Sequence, residues 1–505
     1  MRKLIHLLIN NKLKIFFGFL WLVLFLSGLF SYVGSQLVFV LFSFVFLIML
    51  LSGANRRKDY GYLFLVIFLW LGFWFKLTAS LLLSVWFPLV FEEPVGNFNF
   101  SVDAWDQVLW ISIWASIGVM LGRFLYGLFR LKTFGDTVEA KAPLWYPAIR
   151  IWLWTVVLSV TVGVAIFNIF YGIHQIGIVP RTILDWPLNA FVSWMLNLGS
   201  ALAIAVLIWW DTAEKKNTTL PLFAILGEAF LSAVSIISRS AFLFHAIPQM
   251  LSLSARKEIS QRYSRKQILL FVSTFAVLFL MSIAAVSFMR DYQYVGSKLT
   301  PLPPPDSVAD SSANTLKPIL VEALAQPAKE TSSFRLTLIR QLLVNRWIGI
   351  EGVMAVSSYS EKSNALFWEM LTEKREAGKV SAYQRISNSG YQSTDARYQF
   401  ASLPGAAAFL YYSGSLAVVM LGMATLALII LVVEGIIFAL TKNPLMCSLF
   451  GMTAANTVAQ FGITPRQDIP FYLMIISTAI IVYFIQSKMF ASILSRFNLN
   501  SFSKQ

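Results

Sequence analysis

About a dozen apolar stretches, each long enough or nearly long enough to cross a bilayer, leave this chain little choice of fold. A spanning helix needs about 20 mainly apolar residues, and in hydrocarbon every backbone N–H and C=O must be satisfied within the segment. The stretches fall near 15–31, 37–53, 61–84, 107–128, 150–170, 188–210, 219–237, 240–254, 267–289, 405–437, 444–460 and 469–487. They predict an all-α polytopic integral membrane protein with about 12 transmembrane helices. The pair at 219–254 must be short or partly re-entrant, and the run Ala406–Leu440 is long enough to contain a break. Composition agrees: 57% of residues are hydrophobic and 13% charged, against about 25% charged in soluble domains. The first run, Ile15–Ser31, lacks a small-residue cleavage site and reads as a retained helix. The single cysteine, Cys447, leaves no intrachain disulfide and no CxxC site.

The net charge of +15 does not point to nucleic acid, because the basic residues sit in alternate short loops. One set of loops holds Arg56, Arg57 and Lys58, then Arg130, Lys132, Lys141 and Arg150, then Lys215 and Lys216, with further members later in the chain. The opposite short loops hold only Arg181, Arg239 and Arg466. Lysine and arginine mark the cytoplasmic side, so both termini are expected there. The long polar insert Asp291–Gln399 is then expected outside.

The expected organisation is a bundle of about nine spans over 1–290, an external loop with amphipathic helices over 291–402, about three spans over 403–488 and a cytoplasmic tail over 489–505. Within the loop, Tyr292–Asn314 reads as a proline-rich linker. Apolar residues recur from Thr331 to Trp347 as in an amphipathic helix, which Gly349 and Gly352 end or bend. A second helix is expected over Asn364–Arg375 and a loop over Ser387–Arg397.

The candidate chemistry lies at the outward edge. Arginine there is costly unless it snorkels, pairs with an acid or binds an anion. Arg239, in Ser238-Arg239-Ser240, caps the 219–254 hairpin; Arg181 and Arg466 follow prolines at other edges. The insert adds Arg335, Arg340 and Arg346. Positions eleven apart on a helix differ by about 20°, so Arg335 and Arg346 share a face and Arg340 points away. Guanidinium groups grip phosphates through paired hydrogen bonds, making these arginines a candidate clamp for a phosphorylated substrate. For a general base the outward carboxylates are Asp103, Asp106, Asp185, Glu351 and Asp468, with His174 as the outward histidine. Glu351, near Arg346 and between Gly349 and Gly352, is favoured. Inside the spans, Lys76, Glu228, His245 and Glu434 read as groups that pair helices. There is no GxxxxGK[ST], no HExxH and no His/Cys cluster, so no cofactor and no metal are expected.

This layout resembles the bacterial O-antigen and exopolysaccharide repeat-unit polymerases of the Wzy type, whose architecture the O-antigen ligases share. The resemblance rests on Ser238-Arg239-Ser240 at a hairpin tip, on Arg346–Gly352 with Val353-Met354-Ala355-Val356 after it, and on Phe400–Gly405 re-entering the membrane. It implies transfer of a glycan from undecaprenyl diphosphate to a new lipid-linked repeat unit at the outer face of the inner membrane. Its partners would be undecaprenyl-diphosphate-linked oligosaccharide, membrane lipids and a chain-length regulator. Family arginines that engage the diphosphate map onto Arg239 and Arg346, with Arg181 or Arg466 assisting. The family's loop histidine has no counterpart in Asp291–Gln399, which leaves the base unassigned with Glu351 as stand-in. A ligase and a lipid-linked oligosaccharide flippase are the alternatives.

Overall fold

The computed structural model describes residues 2–54, 59–84, 91, 93–129, 141–214, 219–255, 265–294, 344–373, 380–389, 403–461 and 465–487. Among them the regular elements are helices, with no strand. They are α1 (Arg2–Ser31), α2 (Gln36–Ala54), α3 (Tyr60–Leu83), α4 (Val102–Phe129), α5 (Tyr146–Tyr171), α6 (Leu188–Ala213), α7 (Thr219–Ser235), α8 (Arg239–Ser254) and α9 (Arg265–Tyr294). After the insert's undescribed part come α10 (Ile350–Ser357), α11 (Asn364–Thr372), α12 (Ala382–Ile386), α13 (Ala406–Leu410), α14 (Leu416–Thr441), α15 (Pro444–Ala459) and α16 (Pro465–Gln486). Two spans are interrupted by π turns: α3 at Trp70–Phe75 and α6 at Met195–Gly199.

Every apolar stretch singled out in the sequence carries a helix, and among the described residues eight helices are long and apolar enough to cross a membrane. The protein is an all-α membrane-embedded chain. The run 405–437 is not one helix. A 3-10 turn over Tyr411–Ser413 and a left-handed Gly414 (φ 72°) divide it into α13 and α14, and the Ser415 hydroxyl then caps α14.

The insert departs from a solvated loop at its base. All eight residues of α10 are buried, and the helix packs against α4 and α13 inside the bundle. Val344–Trp347, expected as the end of an amphipathic helix, is a turn; the remainder of that helix and the proline-rich linker lie almost wholly outside the described residues. Gly352 does not end a helix but lies within α10, where a Cβ would overlap the backbone carbonyl of Pro404. Close approach of two backbones, and not a bend, is what requires glycine here. α11 matches expectation to Thr372, and the expected end at Arg375 lies outside the described residues. α12 was not expected; a capping box between Ser381 and Gln384 starts it.

Helix contacts follow small residues and buried charges. α4 and α14 pack through Gly118 and Gly122, one turn apart, where a Cβ would overlap the carbonyls of Met420 and Ala424. This is the small-xxx-small packing that lets backbones approach in lipid. Glu434 on α14 accepts the first amides of α3, Tyr60 N at 2.8 Å and Gly61 N at 2.9 Å. Arg123 pairs with Asp59 just before α3 and lies over the rings of Tyr62 and Tyr126. Asp211 on α6 accepts from Tyr146, Arg150 and Trp154 on α5. The charges inside the apolar spans thus serve largely as helix-to-helix staples.

Replacing Gly122 with leucine should lower the thermal midpoint of the detergent-solubilised protein or prevent its recovery as a single species. Gly127→Leu, at a position with nothing within 4 Å, should leave both unchanged. Fluorescence-detected size exclusion after a heating series reads the difference.

Candidate functional site

The hairpin α7–α8 turns through a Schellman motif. Ser238 N donates to Ala233 O at 2.9 Å and Ile237 N to Val234 O at 3.3 Å. Glycine normally occupies the left-handed position of this motif; here it is Ile237, at φ 56°. A β-branched residue there is an outlier that costs on the order of 1–3 kcal/mol. The surroundings hold it in place. Arg290, at the end of α9, donates to Ile237 O through Nη2 at 2.9 Å and Nε at 3.3 Å. Arg239, the first residue of α8, donates from Nη2 to Ser287 on α9 at 2.9 Å. Two guanidinium groups therefore flank one strained turn. The N-cap Ser238 makes no side-chain bond to the helix amides and pairs instead with the hydroxyl of Ser240 at 3.1 Å.

The loop after α5 joins this tip. Ile176 N donates to Ile236 O at 2.9 Å, and buried Asn168 on α5 donates from one amide to His174 O and to Ser235. Arg181 in the same loop is exposed, lies against Gly172 and donates to Ile169 O at 3.1 Å, among the last carbonyls of α5. A cation at a helix C-terminus is favourable there. Gln175 is only 6% exposed, and neither polar atom of its amide has a hydrogen-bond partner among the described residues.

His174 packs against Asn197. The Asn197 amide donates to Ser193 O at 2.9 Å, and its Nδ2 and Oδ1 lie 3.0 and 3.2 Å from His174 Nε2. Burial holds the imidazole pKa below the usual histidine range, with the Asn197 contact opposing it. The same Asn197 lies in the π turn of α6, and its carbonyl accepts from His245 Nε2 at 2.9 Å. His245 Nδ1 is 2.8 Å from Glu228 Oε1. The expected helix-contact role of His245 and Glu228 is met by this pair.

α8 runs antiparallel to α3: Tyr60 bonds Ser252, and further along Phe68 meets Phe244, ring centroids 5.9 Å apart. Phe68 also meets Trp347 at 6.3 Å. Arg346, exposed in the turn beside Trp347, is thereby linked by three rings to the helix that Arg239 begins. Arg466 lies in the first turn of α16, its side chain outside the described residues; Arg335 and Arg340 lie outside them altogether. The tip thus gathers Arg181, Arg239 and His174, with Arg346 on the adjoining face.

Glu351 stands apart. It is 2% exposed at the start of α10 and forms an ion pair with Lys76 of α3, itself fully buried. Lys76 Nζ also donates to Trp347 O at 2.7 Å and Asn345 O at 3.2 Å. The π turn before Lys76 brings Gly72 onto the chain at Ile348 and Gly349, where a Cβ on either glycine would overlap the facing backbone. The carboxylate favoured as general base is part of a buried anchor. Asp106, another carboxylate weighed as a base, accepts from Tyr32 and from the backbone of Ser35 at the start of α2. Above α10, the Tyr383 phenol is pushed up by burial, with the Glu93 and Glu351 carboxylates adding to it. Among the described residues no three His, Cys, Asp or Glu side chains gather as a metal site would need.

Sequence reading passed over Arg290, which sits at the boundary between a span and the insert, and Glu93, in the segment before α4. It also gave no partner for Glu351.

Breaking the anchor should be costly. Lys76→Met leaves a buried carboxylate without its lysine and should destabilise by about 3–5 kcal/mol. Lys76→Met with Glu351→Leu should recover part of that loss, read as a double-mutant cycle of thermal stability. The His174 loop should be acid-sensitive. A histidine whose pKa falls on folding contributes stability above its unfolded value, about 6.5, and that stability is lost as pH falls through the folded value. The thermal midpoint should therefore drop as pH is lowered below about 6.5, and His174→Phe should flatten that limb of the profile. Comparison of this chain with protein-family models, with curated proteins and with solved structures finds no match in any of the three.

Proposed function

We propose that the protein is a membrane glycosyltransferase that polymerises undecaprenyl-diphosphate-linked oligosaccharide repeat units at the outer face of the bacterial inner membrane. In this reading it has about twelve spans, with both termini in the cytoplasm. The observation that carries the reading is the basic hairpin tip, where Arg239 and Arg290 flank the start of α8 and Arg181 stands on the adjoining loop. A helix N-terminus with arginines beside it favours an anion. The lipid diphosphate carries at least two negative charges at the membrane edge and gains more as it leaves. Preorganised cations aimed at that charge commonly contribute more to the rate of such a reaction than any other effect. Glu351 pairs with Lys76 and holds the insert in place.

Transport of the lipid-linked oligosaccharide is a second reading, favoured by the Glu228–His245 pair within the helices. Ionisable groups at such depth mark ion or proton paths in transporters.

Sizing the glycans left on the carrier after loss of the protein separates the readings. Single repeat units without polymer support the polymerase, long carrier-linked polymer points to a ligase, and an unchanged length profile removes both. Arg239→Ala and Arg290→Ala should each lower polymer formation by about 10²-fold while the protein still inserts. Wild-type polymer from both variants would remove the tip from the reaction.

A further inference from the structure

The hairpin that carries the basic tip also holds a titratable pair deep between its arms. Glu228 on α7 and His245 on α8 are both buried. The bonding around them fixes most of the protons. The Asn197 carbonyl can only accept, so His245 Nε2 carries a hydrogen. One proton lies between Nδ1 and Glu228 Oε1, 2.8 Å apart, whichever group owns it. Ser232 Oγ donates to the same oxygen at 2.8 Å. Held this way, the pair has no net charge.

Two acceptors are left over. Glu228 Oε2 is buried with no hydrogen-bond partner among the described residues, and so is Gln249 Oε1. Gln249 follows His245 by one turn on the same face of α8, and its Nε2 donates to His245 O at 3.1 Å. Buried acceptors without a donor are costly. One further proton, on Oε2, supplies a donor where there is none.

We propose that Glu228 and His245 form a proton-binding site inside the membrane, which takes up one proton on Glu228 Oε2 and releases it again. Hydronium is the source: an O–H bond forms on an Oε2 lone pair, one breaks in hydronium, and water leaves. The shared proton stays between Nδ1 and Oε1, and the pair passes from neutral to a single positive charge. His174, linked to Asn197 at the outer end of α6, is the nearest titratable neighbour. Other charged groups on the packed helices stand away from this level. Arg150 and Asp211, on α5 and α6, pair with each other. Arg239 and Arg290 are at the tip, and the remaining charges of α9 are at its ends. From α3, Tyr60 bonds Ser252 and Lys76 pairs with Glu351. α15 brings only Cys447. The site is independent of what the tip handles.

The test is pH-difference infrared spectroscopy on the full-length protein in lipid nanodiscs. The buried carboxyl bands should change on acidification, and that change should vanish in Glu228→Gln. Should Glu228→Gln fail to fold, nitrogen-15 histidine NMR of the unaltered protein decides. With three histidines in the chain, the His245 Nδ1 signal should shift with pH. A carboxyl band unaffected by Glu228→Gln, or His245 signals constant from about pH 5 to 9, overturns the proposal.

Discussion

A lysine in the middle of an apolar span is tolerated only if something answers its charge, and in this protein the answer comes from the insert. Lys76 meets Glu351 and two backbone carbonyls, all contributed by Asn345–Glu351. Taking either charge out of water alone costs several kcal/mol. Span and insert are therefore stable together and not apart. That one dependence explains why α10 lies inside the bundle, why Gly72 and Gly349 meet backbone to backbone, and why Trp347 reaches the aromatic face shared by α3 and α8.

The two ends of the bundle use charge differently. Away from the insert, Asp59 with Arg123, Glu434 with the first turn of α3, and Asp211 with Arg150 each close on a partner from another helix. These are joints. At the hairpin tip Arg239, Arg290 and Arg181 lie on or beside a turn that is itself strained at Ile237. The bonds there run to neutral acceptors: Arg239 to the Ser287 hydroxyl, Arg290 to the Ile237 carbonyl and Arg181 to the Ile169 carbonyl.

Much of the fold was legible because lipid imposes a simple rule. A long apolar run has to be helical, and each of the runs is. The hairpin tip was legible too, since Ser238-Arg239-Ser240 interrupts two apolar arms too short to hide it. What could not be read was pairing at a distance. Glu351 looks solvated from its neighbours in sequence, and only Lys76, far away in the chain, shows otherwise. Arg290 was hidden by its position, where a span ends and a polar insert begins. The break at Tyr411–Ser415 had a local sign in Gly414, but α10 had none, because burial of a glycine-containing helix depends on which backbone meets it. His174 looked like an outward ligand and is instead packed against Asn197, where burial lowers its pKa.

The two π turns have a consequence for how the spans are read. An α-helix advances about 100° per residue, and a π turn takes in one residue more than that rhythm allows. Beyond it, every side chain is out of phase with the stripe before it. The first half of α3 can therefore serve α15 while the half after Phe75 serves α1 and the insert, with no compromise in either sequence pattern. α6 is divided in the same way at Asn197. A single-residue deletion within either turn would leave the helix apolar, continuous and long enough to span. It would also rotate Lys76, or the face that begins at Ser200, away from every partner it has.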